Sequence, residues 1–387
     1  MTPVVPHELT DRIIDFLHND YVTLSAVSLA CRSFLPATRF HRFAHLVLVG
    51  GRIEGFNKLL DISPDLGPFV GELVLDSGLS NASWRRLTAK TVSAMLDRLP
   101  SINSLGFRYL KLDKEIMRTV TNVRRLRTLS LVACILPSPD SLARTLSTLE
   151  HLTHLNVEDL SHAEDDAITG GVQPPRILTF GATGMDTEGT SQICSWILNG
   201  EDSGDIRTLY TKVRSRAEAS AMRDLIETLG DTLTDFQMVV DAEASLAAVF
   251  GESDLSLRCL TNLRSCRLTF KLREMFVPEN ISLPWITGLV SQLSSNRLSE
   301  VSLSIHADDV RDLRSLDSEC GVRETFPVSF DELQALDWTA LDESLNTERL
   351  GSLQQIVISG VGDPSALQAF LRMNHPLLES LVDLVHT

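Results

Sequence analysis

Two hydrophobic patterns run along this chain. Over the first 46 residues apolar side chains recur at helical spacing. Leu9, Ile13, Phe16 and Leu17 fall at i, i+4, i+7 and i+8, which makes one stripe of an amphipathic helix. Pro6 sits where a missing N–H costs nothing, and Glu8 and Asp11 suit the positive end of the helix dipole. His18-Asn19-Asp20 interrupts the stripe. Thr23 is the expected cap of a second helix, whose stripe is Leu24, Val27 and Cys31 with Leu29 on another face, and Pro36 is expected to end it. A third helix over 37–43 carries Arg39, Phe40 and Phe43. Helices this short are marginal alone and cannot cover one another's apolar faces completely. Either the rest of the chain or a partner must cover the remainder.

Beyond these helices the period changes. An apolar residue, two others, an apolar centre, one other and a further apolar residue recur as Phe43-x-x-Leu46-x-Leu48 and Val70-x-x-Leu73-x-Leu75. The same pattern follows at Ile102-x-x-Leu105-x-Phe107, Leu126-x-x-Leu129-x-Leu131 and Leu152-x-x-Leu155-x-Val157. Later copies are centred on Leu209, Phe236, Cys266, Val301 and Ile356, and a weaker copy, Ile177-Leu178-x-Phe180, is read with Leu178 as its centre. Alternation predicts a short strand at each copy. Between strands, Leu87, Val92, Met95, Leu96 and Leu99 have helical spacing, as do Met222, Leu225, Ile226 and Leu229. Consecutive centres lie 23 to 35 residues apart except the last pair, which are 55 apart. That gap predicts a longer or hidden repeat, with Trp338, Leu341 and Leu345 on one helical face inside it. Polar stretches at 161–174, 199–205 and 306–328 read as insertions.

The N-terminal run Val5-Pro6-His7-Glu8-Leu9, with Ile13, Phe16 and Leu17, then Leu24-x-x-Val27-Ser28-Leu29-Ala30-Cys31-Arg32-Ser33-Phe34, resembles an F-box. Pro36-Ala37-Thr38-Arg39-Phe40-His41-x-Phe43 is similar to the continuation seen in many fungal F-box-like proteins. Val5 stands where the family has Leu, and Phe34 where it has Trp; both keep apolar bulk. The downstream copies resemble an irregular leucine-rich-repeat array. The consensus Asn after the strand is mostly missing, with Cys134 and Leu160 in two such places. The fold class expected is therefore α/β, with a three-helix F-box module over 1–46. An irregular leucine-rich-repeat solenoid with a curved parallel sheet follows over 47–387. An ordinary α/β domain with a parallel sheet is the alternative.

Composition bounds the function. The chain has 387 residues, 43% hydrophobic, 22% charged and only 6% aromatic, so its core must be built from Leu, Ile and Val. Net charge is −16 and lies wholly beyond residue 46. Residues 101–150 carry eight Lys/Arg against four Asp/Glu, and residues 151–205 one against ten. So acidic a chain is a poor nucleic-acid binder. No apolar run spans a bilayer, and Met1 to Leu17 lacks the pattern of a secretory signal, so no membrane partner is expected. The cysteines at 31, 134, 194, 259, 266 and 320 are scattered, which suits reduced thiols in the cytoplasm or nucleus. On that reading the sequons at Asn81 and Asn280 are chance matches.

No catalytic motif stands out, and no cofactor or metal is expected. His41 and His45 have the i, i+4 spacing of zinc ligands but no neighbouring Cys, Asp or Glu in sequence to complete a site. His151 and His154, Asp165-Asp166 and Gly360-Val361-Gly362-Asp363 read as loop and strand-edge features. Arg124, Arg125 and Arg127 form the densest basic cluster, either a solvated loop edge or a docking patch for an acidic partner. What the F-box resemblance implies is a non-catalytic substrate receptor of a cullin-type ubiquitin ligase. A Skp-family adaptor would be held by Pro6, Glu8, Leu9, Ile13, Phe16, Leu17, Leu24, Val27, Cys31 and Phe34, and would link to a cullin. The unknown protein substrate would meet the outward strand residues Thr128, Ser130, Val132, His154, Asn156 and Glu158. A scaffold outside ubiquitin transfer is the alternative.

Overall fold

A computed structural model of the chain describes residues 7–78, 88–164, 166–169, 171–185, 187–200, 203–242, 255–273, 284–308, 325–327, 336–345, 350–360 and 363–385. Pro6, Asn81, Leu87, Asp165, Asn280 and Cys320 lie outside the described residues, as does most of the 306–328 insertion. The fold is α/β, built from short parallel strands that alternate with helices. The chain forms two compact units, 1–155 with 160–175, and 156–159 with 176–387.

The first unit opens with α1 (His7–Asp15), α2 (Tyr21–Ala30) and α3 (Leu35–Phe43). Two boundaries differ from the sequence reading. Asp20, not Thr23, caps α2: its carboxylate accepts the Thr23 amide at 2.9 Å and the Thr23 hydroxyl at 2.6 Å. Pro36 does not end α2, which stops at Ala30. It sits in the first turn of α3, where its fixed φ suits a helix start.

Four strands follow, β1 (His45–Val49), β2 (Glu72–Asp76), β3 (Ser104–Arg108) and β4 (Thr128–Val132), paired in parallel in chain order. Leu46, Leu73, Leu105 and Leu129 share one register row, and Leu48, Leu75, Phe107 and Leu131 the next. These are the centres and second apolar positions of the sequence motif. The helices α4 (Arg52–Ile62), α5 (Ala89–Leu96), α6 (Lys114–Thr121) and α7 (Pro139–Ser147) return the chain between strands, with Phe56, Val92, Met95, Ile116 and Leu142 buried. Alternation alone places the strand leucines inward, so each unit buries its face only by stacking on the next. A small parallel pair joins β5 (Ile135–Leu136) to β7 (Ser161–His162), either side of β6 (His154–Glu158). Cys134, in a consensus Asn place, is buried, and its thiol donates to the Phe107 carbonyl at 3.3 Å.

One backbone device repeats at each step. The carbonyls of Ala44, Gly71, Asn103 and Arg127 each accept two N–H groups, from residues 71 and 72, 103 and 104, 127 and 128, and 153 and 154. This satisfies the strand-entry amides without any side chain. It therefore leaves no mark in the sequence.

In the second unit the strand order is β6, β8 (Thr179–Thr183), β9 (Thr208–Val213), β10 (Asp235–Ala242), β11 (Ser265–Arg273), β12 (Glu300–Asp308), β14 (Gln355–Ser359) and β15 (Val382–Val385). The short β13 (Thr325–Pro327) pairs antiparallel with β12. The helices are α8 (Glu188–Leu198), α9 (Arg216–Leu229), α10 (Pro284–Val290), α11 (Trp338–Ser344), α12 (Pro364–Asn374) and α13 (Pro376–Leu381). Leu209, Phe236, Cys266, Val301 and Ile356 share one row, as the motif predicts. The same double-acceptor carbonyls recur at Leu178, Arg207, Thr234, Arg264 and Ser299.

The weak copy is corrected. Phe180, not Leu178, pairs with Leu209. Leu178 is 37% exposed and supplies the double-acceptor carbonyl, while Phe180 is fully buried. Phe180 follows Ile177 at the usual motif spacing, with Ala182 the next inward residue, and Leu178 takes the double-acceptor place two residues before the centre, as Arg207 does before Leu209. β12 and β14 pair directly, Val301 with Ile356, so the 55-residue gap adds no rung between them in the sheet; among the described residues its strand is the short β13. Trp338, Leu341 and Leu345 are buried on α11 and just after it. The rung at β15, where Val382 pairs with Ile356, was not visible in the sequence, because Glu379 stands where the pattern has an apolar residue three places before the centre.

Candidate binding surfaces

The N-terminal helices turn little of their apolar surface inward. Ile14, at 1% exposure, and Leu24 are covered by the protein itself, with Thr38 buried beside them donating to the Phe34 carbonyl at 2.9 Å. A 2.8 Å contact between the His41 Nε2 and the Asp15 carboxylate ties α3 to α1, and His18 Nδ1 lies 2.9 Å from the Asp15 carbonyl. Arg39 pairs with Asp65.

The predicted stripe points the other way. Leu9, Ile13 and Phe16 are exposed, Phe16 by 86%, and Leu17, Val27 and Phe34 are partly buried. Three side chains that no stripe had marked join them: Val22 at 82%, Leu29 at 88% and Phe40. Sequence spacing found the helix faces, but the inward one runs through Ile14, the neighbour of Ile13. Pro6 lies outside the described residues, and Glu8 is described only as backbone of α1. Cys31 is exposed, with its thiol 3.0 Å from the Ser33 hydroxyl, which holds its pKa below the ordinary thiol value.

On the strands, the residues opposite the core alternate as expected. In the first unit Thr128, Ser130 and Val132 are partly exposed and His154 is exposed, flanking buried Leu129, Leu131 and Leu155. In the second unit Asn156 and Glu158 are partly exposed around buried Val157. The Asn156 side chain lies over Gly181, where a Cβ would collide with it. Tyr210 pairs with Gly181 in register, and burial, then the charge of Glu158, pushes its hydroxyl pKa up. Lys212 reaches Asp241 at 3.2 Å. Tyr210, Lys212 and Asp241 were not singled out from the sequence; the alternation that marked Asn156 and Glu158 marks them equally.

Just past the end of β9, Arg214 holds two carboxylates. Its Nη1 donates to Asp159 at 2.8 Å and its Nη2 donates to Asp159 as well. Nε and Nη2 donate to Glu218 at 3.0 and 2.7 Å. The Arg214 pKa is raised, chiefly by the bonds to Asp159. Such a pair of doubly engaged carboxylates fixes geometry rather than supplying a free acid or base. Burial pushes the Cys134 thiol to about 11 and those of Cys194 and Cys266 to about 12, so all three are neutral at physiological pH and poor nucleophiles. Among the described residues no group of three or more His, Cys, Asp or Glu could hold a metal ion, and no helix is long and apolar enough to cross a membrane.

No family model matches the chain, and no curated protein matches it. Solved structures do. The yeast Rad7 and Elc1 complex matches at a TM-score of 0.40 and 13% identity, over 98% of this chain and 85% of that one. TLR13 in complex with ssRNA13 matches at 0.32 and 14%, over 77% of this chain and 41% of that one. A leucine-rich-repeat protein of Leptospira interrogans matches at 0.23 and 12%, over 83% and 91%.

Proposed function

We propose that this protein is a non-catalytic substrate receptor of a Skp-cullin-F-box ubiquitin ligase. Residues 1–46 serve as an F-box-like module of fungal type and residues 47–387 as the repeat domain that holds a protein substrate. The observation that carries this reading is the outward apolar set Leu9, Ile13, Phe16, Val22, Leu29 and Phe40 on three consecutive short helices. Single exposed hydrophobes are ordinary; six on one small module are the mark of an interaction surface. A Skp-family adaptor covering them gains about 1.5–3 kcal/mol for each large side chain taken fully out of water. Leu17, Val27, Cys31 and Phe34 border the surface, with Pro6 and Glu8 setting its first turn. Leu24 supports it from inside.

The receptor does no bond chemistry on this reading. The adaptor joins it to a cullin, and the substrate, held on Thr128, Ser130, Val132, His154, Asn156 and Glu158, is kept at high effective concentration beside the loaded ubiquitin. Replacing Leu9 and Ile13 by Asp tests it. Adaptor pull-down should be lost while the repeat domain keeps its thermal transition, and undiminished pull-down would refute the reading. Mass spectrometry of co-purified partners then separates the alternatives: a cullin beside the adaptor supports ligase assembly, and adaptor alone supports a scaffold outside ubiquitin transfer.

A further inference from the structure

We infer that the turn before β4, carrying Arg124, Arg125 and Arg127, is a docking site for a short acidic segment of a partner protein. It does not depend on adaptor binding by the N-terminal helices.

Several cations of the first unit are engaged by carboxylates. Arg39 pairs with Asp65, Arg98 with Asp61 at 2.7 Å, Lys114 with Glu164 at 2.9 Å and Arg144 with Asp140 at 2.6 Å. The first three tie one element or turn to another, and the last lies within α7. Arg124, Arg125 and Arg127 are all exposed, and among the described residues none of them makes an ion pair. Three like charges within four residues repel one another and contribute nothing to holding the turn together. A chain with a net charge of −16 gains no solubility from them.

The backbone beneath them is fixed. The Arg124 amide donates to the Asn122 carbonyl at 3.0 Å and the Leu126 amide to Val123 at 3.1 Å, with Val123 and Leu126 buried as anchors. The Arg127 amide donates to Asn103 at 2.8 Å, and its carbonyl accepts from both Thr153 and His154 at 2.9 Å. The turn is thus held from both neighbouring rungs, and binding a ligand orders no loop. His154 adjoins the turn through its amide bond to the Arg127 carbonyl, and its side chain is exposed.

Three guanidinium forks on a rigid turn match carboxylates spaced along an extended peptide, each fork taking two oxygens. Nucleic acid also carries anions, but its affinity comes from many phosphates along a strand, and a patch one turn wide supplies few such contacts on an acidic protein.

The experiment titrates fluorescent decaglutamate into the full chain and reads anisotropy, with decaglutamine and decathymidylate as parallel probes. Decaglutamate should bind more tightly than either, and more weakly as salt rises. The triple change Arg124→Ser, Arg125→Ser and Arg127→Ser should weaken it at least tenfold, while Arg258→Ser with Arg264→Ser leaves it unchanged. Arg125→Glu alone, which disturbs no bonded group, should weaken it in the same sense. An unchanged Kd in these turn variants, equal binding of decaglutamine, or tighter binding of decathymidylate would overturn the proposal.

Discussion

Asp159 and Arg214 stand 55 residues apart in sequence, yet the Arg214 Nη1 donates to the Asp159 carboxylate at 2.8 Å. Asp159 leaves β6 with a positive φ of 50°, a conformation that the bond to Arg214 helps to hold. Arg214 also faces Glu218, whose carboxylate is almost fully buried. Removing the arginine leaves that carboxylate without its cation, so Arg214→Ala should cost about 2–3 kcal/mol. Arg214→Lys should restore only part of this, since an ammonium cannot fork to both carboxylates. Urea unfolding, read as a midpoint shift at constant slope, measures both.

Glycine positions sort by what surrounds them. Gly184 has φ +68°, and a Cβ there would collide with the Asp159 side chain. Gly184→Ala should therefore lower stability by about 1–2 kcal/mol through backbone strain and disturbance of the pair with Arg214. Gly55 lies exposed within α4 with open space around it. Gly55→Ala should raise stability by about 0.5–1 kcal/mol. Paired thermal melts of the two variants give the opposite signs directly.

The corrected repeat register makes its own prediction. Phe180 is fully buried on the inward row, and Leu178 is partly exposed. Phe180→Ala should cost about 3–5 kcal/mol, whereas Leu178→Ala should cost less than about 1 kcal/mol. Equal losses, read by chemical denaturation, would contradict the register.

Acid should weaken the first unit through Asp140. Its carboxylate accepts the Thr169 amide at 2.9 Å and hydroxyl at 2.7 Å, and Arg144 at 2.6 Å. The Thr169 bonds first, and Arg144 after them, lower its pKa from 3.8 to about 2. A depressed carboxylate pKa stabilises the folded state above the unfolded value, and that contribution is lost as pH falls from near 4 through about 2. Asp140→Asn should flatten this part of the stability profile while leaving its shape above pH 5 unchanged, as followed by unfolding at stepped pH.

The sequence by itself determined the repeat. Alternating apolar residues can bury only one strand face, so Leu73, Leu105 and Leu129 in the first unit, and Leu209, Phe236 and Val301 in the second, each had to form a row once the strands paired. It also determined that the N-terminal helices carry more apolar surface than they can cover. Only the tertiary structure decided which residues stay outside. Ile13 and Ile14 are adjacent isoleucines, and helix packing alone buries the second and exposes the first. Strand pairing settled the register at Phe180, where Leu178 offered a second apolar centre, and the rung at β15, where Glu379 left the pattern incomplete. The engagement of Asp159 by Arg214, and the absence of an ion pair at Arg124, Arg125 and Arg127 among the described residues, depend on which charges folding brings within reach. No spacing along the chain encodes that.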